Sequence, residues 1–278
     1  MPSPPRILMC PPTHYGIHYE INPWMNTARQ ADHQLASEQW QALRDILVQA
    51  GATISEVAPV VDLPDLVFTA NAALIYGQRA VISHFKHPQR QGEETYFRRW
   101  LADHGWETID TPASFSFEGA GDALFCGDTL YAGYRQRSDA RGHQQIGDLL
   151  DVRVLPLELV DPYYYHLDTC FCPLAAGAAI YFPAAFDDYG RQVLRENIPQ
   201  LIEVEEAEAR RFACNAVVID RTVVTNEGCP RLHERLRAAG FIPAATPLGE
   251  FVKAGGSAKC LTLRLDGEEA AAWRNTSR

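Results

Sequence analysis

The sequence predicts an α/β protein of five repeated units closed into a ring with pseudo-fivefold symmetry. Two observations lead there. First, four segments fall into register when each is aligned on a polar residue that precedes an apolar hairpin. They are Asn71-Ala72-Ala73-Leu74-Ile75, Asp122-Ala123-Leu124-Phe125-Cys126, Asp168-Thr169-Cys170-Phe171-Cys172 and Asn215-Ala216-Val217-Val218-Ile219. A fifth, Lys259-Cys260-Leu261-Thr262-Leu263, matches less well and has no return strand after it. The aligned positions lie 44 to 51 residues apart, a period that marks a repeat architecture. Second, units of hairpin, helix and strand cannot bury their apolar faces alone, and closing them into a ring solves that problem. An ordinary mixed α/β sheet is the competing arrangement.

The elements follow in order. Arg6 to Cys10 reads as a first strand, leading into a loop of breakers and aromatics, Pro11-Pro12-Thr13-His14-Tyr15-Gly16. Gln34 to Ala50 places Leu35, Trp40, Leu43, Ile46 and Leu47 on one helical face, closed by Gly51. Thr53 to Val57 is then a short strand. Each of the four good repeats has a short turn (Gly77-Gln78, Gly127-Asp128, Ala175-Ala176-Gly177, Asp220-Arg221) and a return strand, the pattern of a hairpin. Helical stretches follow three of them, at Glu93 to His104, Tyr189 to Asn197 and Pro230 to Ala239. Residues 1–267 are expected to form a single domain, and 268–278, which lack any such pattern, a solvated tail.

Composition narrows the class. With 46% apolar and 22% charged residues, the 278-residue chain has the make-up of a soluble globular protein. No apolar run approaches the length of a membrane span, and the start lacks the apolar core of a signal peptide. Seven cysteines, odd in number and set mostly in apolar strands, read as reduced thiols in a cytoplasm. Cys170 and Cys172 have no second Cys/His pair at zinc spacing, so a structural zinc is not expected; no other metal or cofactor is expected either. A net charge of −10 speaks against nucleic acid and suits a small cationic substrate. Oligomeric state is left open, a homo-oligomer included.

If the units close around an axis, their strand entrances converge. The residues there are Asn71, Glu118 with Asp122, His166 with Asp168, Asn215, and Lys259 beside Cys260. His166 and Asp168, two apart on a strand, would project to the same side. Together these supply a thiol, an imidazole and several carboxylates. A neutral thiol needs a base or a cationic neighbour to become the nucleophilic thiolate, and His166 or a bound cation would serve. Paired carboxylates match the five N–H donors of a planar guanidinium. Taken singly, each has a plainer reading: Cys260 as core, Glu118 as a solvated acid, His166 and Asp168 as surface residues. The joint pattern favours chemistry.

Three motifs in this order, Phe117-Glu118-Gly119-Ala120-Gly121-Asp122, His166-Leu167-Asp168-Thr169 and Gly255-Gly256-Ser257-Ala258-Lys259-Cys260, resemble the guanidino-group-modifying enzymes. That superfamily comprises arginine deiminases, dimethylarginine dimethylaminohydrolases and amidinotransferases. The resemblance runs from about residue 5 to 267 and implies a five-bladed α/β propeller, the pentein fold. Ile21-Asn22-Pro23-Trp24-Met25, Val67 to Ala72, His166 to Leu174 and Ala213 to Val217 look most like bacterial arginine dihydrolase domains.

Carried over residue by residue, the resemblance implies Cys260 as nucleophile on the guanidino carbon and His166 as general acid/base. Glu118 and Asp168 would hold the guanidino nitrogens. Asn22, Asn71, Arg90 and Arg137 would bind the rest of the substrate, the two arginines its carboxylate; Arg135 reads as a surface arginine. Arginine deiminases usually carry Asp where Asn71 stands. An Asp only accepts hydrogen bonds, whereas Asn both accepts and donates, so it suits a guanidinium and then a urea. The implied reaction is therefore L-arginine to L-ornithine, two ammonia and carbon dioxide. Alternatives are a dimethylarginine hydrolase, a deiminase stopping at citrulline, an amidinotransferase, and a binding role without catalysis like that of a ribosome anti-association factor. His14, Tyr15 and His18 lie in a loop that would close over the substrate or stay at the surface.

Overall fold

The computed structural model describes residues 4–267, so the expected tail at 268–278 lies outside the described residues. Five sheets of three strands each make up the β structure. Four are built alike. A two-residue turn joins an antiparallel hairpin, and a helix carries the chain to a third strand that lies parallel to the hairpin's second. The first of these units has β3 (Ala73–Tyr76), β4 (Arg79–Ile82) and β5 (Glu107–Asp110), ordered β3-β4-β5. The next has β6 (Ala123–Cys126), β7 (Thr129–Tyr134) and β8 (Arg153–Glu158). Then come β9 (Phe171–Ala175), β10 (Ala178–Tyr181) and β11 (Gln200–Glu203), followed by β12 (Val217–Ile219), β13 (Thr222–Asn226) and β14 (Ile242–Thr246). The hairpin turns take positive φ at Gly77, Gly127, Gly177 and Asp220, the backbone twist that short hairpins need.

The fifth unit corrects the sequence reading. Lys259 to Leu261 are not in a strand; the strand is the two-residue β15 (Leu263–Arg264). Its missing return strand is β1 (Arg6–Met9), which pairs antiparallel with β15 and parallel with β2 (Thr53–Glu56). The N-terminal strand thus completes the blade that the C-terminal part of the chain begins. First strands are buried and third strands half-exposed, so the hairpins face inward and the third strands form the rim. Leu124, Phe125, Phe171, Val217, Val218 and Arg264, from four of the first strands, line a small central cavity with Lys259.

One long helix serves each unit. The helices are α1 (His33–Gln49), α2 (Glu93–Asp103), α3 (Arg141–Leu150), α4 (Asp188–Asn197) and α5 (Pro230–Ala238). Asp32 caps α1 by accepting from the Leu35 amide, and Ala36, Trp40, Leu43 and Leu47 bury its inner face. Leu35, expected on that face, is exposed. Helix α3 escaped the sequence reading because its buried face has few apolar side chains and includes two glycines. A Cβ on Gly147 would stand 2.9 Å from Val154 Cγ2, so the close approach of α3 to β8 requires that residue.

The expected convergence of strand entrances is seen, with a difference. The polar heads sit on 3₁₀ or irregular turns that precede the strands: Thr69–Ala72, Gly119–Gly121 and Leu167–Thr169 in the first three cases. His166 therefore caps a turn that contains Asp168, instead of the two alternating along a strand, and β9 starts only at Phe171. The turns are linked head to head in a closed circuit. Asn71 Nδ2 donates to Glu118 O (3.3 Å), Leu167 N to Asp122 Oδ1 (3.0 Å) and Asn215 Nδ2 to Asp168 O (3.1 Å). Lys259 N donates to Asn215 O (3.2 Å) and Ala70 N to Cys260 O (3.1 Å), which returns to the first unit. Five links for five units make this end of the ring a single hydrogen-bonded layer.

Candidate active site

Cys260 and Asp168 meet across that layer. Both are buried, with Cys260 Sγ 3.5 Å from Asp168 Oδ2. Asn215 Nδ2 donates to the same sulfur at 3.1 Å. Burial raises the thiol well above its ordinary pKa and the Asp168 charge raises it further, while the Ser257 backbone and the Asn215 amide oppose them. The sulfur therefore stays protonated until positive charge arrives beside it.

His166 and Glu118 form the second cluster. His166 Nε2 lies 2.7 Å from Glu118 Oε2, and Arg137 Nη1 reaches that oxygen at 3.1 Å. Burial pushes the Glu118 carboxyl upward, but the Arg137 charge and the His166 hydrogen bond outweigh it and hold the group well below the usual range. The Glu118 loop is braced from behind. Its amide donates to Ser138 Oγ (3.0 Å), and that hydroxyl donates to Asp122 Oδ2 (2.6 Å). Asp122, pushed up to about 6 by burial despite His166 and Ser138, also receives the Leu167 amide and so ties the Glu118 and His166 turns together.

Asn71, Arg90 and Arg137 line one cavity with Cys260, and Asn22 and Tyr165 close it. Arg90 donates to Asn71 Oδ1 at 2.9 Å and is gripped by both carboxylate oxygens of Glu93, each at 2.8 Å. Arg137 lies over the Tyr165 ring, 4.6 Å from its centroid, and donates to Ile21 O at 3.0 Å. Asn22 Nδ2 donates to Ala254 O (3.0 Å), which ties the Ile21–Met25 loop over the cavity. Arg135 is exposed and pairs with Glu158. Of the loop residues, Tyr15 is fixed in the core, its hydroxyl on Glu250 O at 2.8 Å, while His18 is exposed. The cover over the site comes from a few residues further on.

Sequence reasoning missed Asp65 and Glu93 as site residues, and it placed Asn215 at a strand entrance without giving it a role. Asp65 is buried in the cavity wall; Tyr19 donates to its Oδ2 at 2.9 Å, and its Oδ1 has no hydrogen-bond partner. Burial raises its pKa against the pull of Arg90 and the Tyr19 hydrogen bond, so a cationic partner would favour its charged form. The one cue in the sequence was its place six residues before Asn71. Among the described residues, no group of three or more His, Cys, Asp or Glu is arranged to hold a metal ion.

Comparison with known proteins fits this geometry. A family model for eukaryotic N,N dimethylarginine dimethylhydrolases matches residues 18–265. The chain belongs to that family. It is 47% identical over 265 residues to the bifunctional arginine dihydrolase/ornithine cyclodeaminase ArgZ of Synechocystis, covering 94% of this chain but 37% of that protein. The similar protein AgrE of Nostoc is 46% identical, with 95% and 38% covered. The chain thus spans under two fifths of either relative. A dimethylarginine dimethylaminohydrolase of Mycobacterium tuberculosis is 37% identical, with 95% of this chain and 87% of that protein covered. Among solved structures, the N-terminal domain of ArgZ, a cyanobacterial arginine dihydrolase with substrate bound, superposes at a TM-score of 0.92 with 46% identity, covering 95% of this chain and 98% of that one. These relatives are hydrolases of guanidino C–N bonds, and the fold is the pentein fold that the resemblance implies and the five repeats match.

Proposed function

We propose that the protein hydrolyses L-arginine to L-ornithine, two ammonia and carbon dioxide through covalent intermediates on Cys260. The observation that carries this reading is the shared cavity: the sulfur, two arginines and the Asn71 amide face one space walled by Asp65. An arginine entering it would lay its carboxylate against Arg90 and Arg137, its ammonium against Asp65, and its guanidinium between Asp168 and Glu118 beside the sulfur. The likeness to an arginine dihydrolase domain with substrate bound supports arginine as the substrate.

The substrate's charge, arriving between Asp168 and Cys260, lowers the thiol pKa, and the proton leaves to solvent. The thiolate attacks the guanidino carbon and forms the S–C bond. His166, protonated beside Glu118, gives its proton to the departing nitrogen, and ammonia leaves. Neutral His166 then takes a proton from water, hydroxide adds to the thiouronium carbon, and the C–S bond breaks to return the thiolate and give citrulline. In a second round the thiolate attacks the urea carbon and expels the second ammonia. Hydrolysis of the resulting S-carbamoyl adduct gives N-carboxyornithine, which loses carbon dioxide. The balance is one arginine and two waters in; one ornithine, two ammonia and one carbon dioxide out. Asn71 supports the second round because its amide can donate to the urea oxygen.

Incubation with arginine, citrulline, agmatine and dimethylarginine in parallel, with products read by mass spectrometry, tests the proposal. Ornithine from both arginine and citrulline is expected. Citrulline as the end product would leave a deiminase. Dimethylamine from dimethylarginine without ornithine from arginine would favour the second reading, a dimethylarginine dimethylaminohydrolase, which the family match and the mycobacterial relative support. No helix among the described residues is long and apolar enough to cross a membrane, and seven free, buried cysteines support a reducing cytoplasm.

A further inference from the structure

Asn215 heads the fourth unit, and the reaction proposed above gives it no task. It is fully buried, and its side-chain amide is saturated. Oδ1 accepts from the Ser257 and Cys260 amides, each at 3.1 Å. Nδ2 donates to Asp168 O at 3.1 Å and to Cys260 Sγ at 3.1 Å. An asparagine amide has two acceptor positions and two donors, and here all four are used. This fixes its orientation. A flipped amide would aim N–H groups at two N–H donors and its oxygen at a carbonyl and a sulfur. The sulfur is therefore held as an acceptor, with the backbone of its own loop clamped by the same side chain.

That arrangement has a chemical consequence. Burial and Asp168 both disfavour charge on Cys260, so a fixed N–H on the sulfur favours the ionised form against them. The same donor faces the sulfur each time it leaves carbon as thiolate, which the proposed reaction requires twice per arginine. The amide gains and loses no proton. A purely structural residue at this position would need the two loop amides and the Asp168 carbonyl, but not the contact to Sγ.

We propose that Asn215 is a catalytic residue whose amide stabilises the Cys260 thiolate before attack and at each departure. This rests on the reading of Cys260 as the nucleophile.

Asn215→Asp is the variant of choice, because it keeps the oxygen that receives the loop amides and puts a carboxylate oxygen, which cannot donate, where the N–H faces the sulfur and Asp168 O. The rate of Cys260 modification by iodoacetamide, read by peptide mass spectrometry across pH, should show the midpoint moved up by about one unit or more, so that the rate near neutrality falls about tenfold. Turnover of arginine should fall about 100-fold, as for loss of one preorganised donor, with KM little changed. A modification profile that superimposes on the parent's, in a variant that melts at the same temperature, overturns the proposal.

Should the variant fail to fold, the parent protein still decides. One asparagine side-chain amide proton in its NMR spectrum should shift with the midpoint of thiol ionisation, and be flat with pH in Cys260→Ala. No such titrating amide overturns the proposal equally. Loss of the underlying reading looks different: Cys260→Ala that still turns over arginine removes the nucleophile, whatever Asn215 does. An inactive Cys260→Ala beside an unperturbed Asn215→Asp removes only the role of Asn215.

Discussion

Nε2 of His166 lies 2.7 Å from Oε2 of Glu118, with both side chains shielded from solvent. The carboxylate is kept ionised there, against its own burial, by Arg137 on the same oxygen and by His166 itself. A carboxylate so placed fixes the imidazole ring, the group that would hand a proton to a departing nitrogen. In the proposed reaction Glu118 thus has a second part to play besides the expected holding of substrate nitrogens.

Replacing Glu118 with Gln should lower arginine turnover by about 100-fold or more, the usual weight of a misarmed general acid. Stability should respond to pH in a defined direction. The folded pKa of Glu118 lies below the ordinary 4.5, so its contribution is fully present above 4.5 and is lost as pH falls from there towards the folded value. The gap in melting temperature between parent and Glu118→Gln should be widest near neutrality and shrink below that point. A gap that stays constant through acid pH would contradict the assignment.

Cys260 gives a prediction of opposite sign for two reagents. Its thiol is raised by burial and by Asp168, so a neutral haloacetamide should react slowly at pH 7. Chloroacetamidine carries its own positive charge to Asp168 and should modify Cys260 about 100-fold faster. In Asp168→Asn the neutral reagent should speed up and the cationic one slow down. Equal rates for both reagents in the parent protein would rule out activation by substrate charge.

Arg90 tests the substrate end. Its guanidinium bridges Glu93 and Asn71 in a fork that a lysine ammonium cannot copy. Arg90→Lys should raise KM for arginine by about tenfold, with a smaller change in kcat. Steady-state kinetics with agmatine, which lacks the carboxylate, supplies the control: its KM should be much less affected.

The sequence reading succeeded where the signal was local. Apolar runs on either side of Gly77, Gly127, Gly177 and Asp220 announced four hairpins that are present in the structure. It failed where the partner lay far along the chain. Strand β15 finds its return strand in Ile7 and Leu8, more than 250 residues earlier, and no local pattern could reveal that pairing. Helix α3 was invisible because closeness of packing, through Gly142 and Gly147, replaces an apolar stripe. In the site, Cys260, His166, Glu118 and Asp168 stood out through their motifs. Asp65 did not, because an acid following Pro64 reads as a surface turn until Tyr19 and Arg90 are brought against it.

Gly121 offers a way to tell the two proposed rounds of hydrolysis apart. A Cβ built on it would stand 2.1 Å from Asn71 Nδ2 and 3.5 Å from His166 Cγ. The first separation is far inside contact and the second is ordinary, so Gly121→Ala must displace the Asn71 amide while leaving the His166 ring nearly where it is. Asn71 would lose its bond to Glu118 O and its alignment with Arg90. The variant should melt lower, consistent with about 1–3 kcal/mol for overpacking a buried position. Its arginine deimination should persist at reduced rate, since Cys260, His166 and Asp168 are not pushed. Hydrolysis of citrulline, which draws on the displaced amide, should fall further, so citrulline should accumulate when arginine is supplied. Time courses of citrulline and ornithine by mass spectrometry read the outcome, and a parallel decline of both products with no build-up of citrulline would show that Asn71 does not govern the second round.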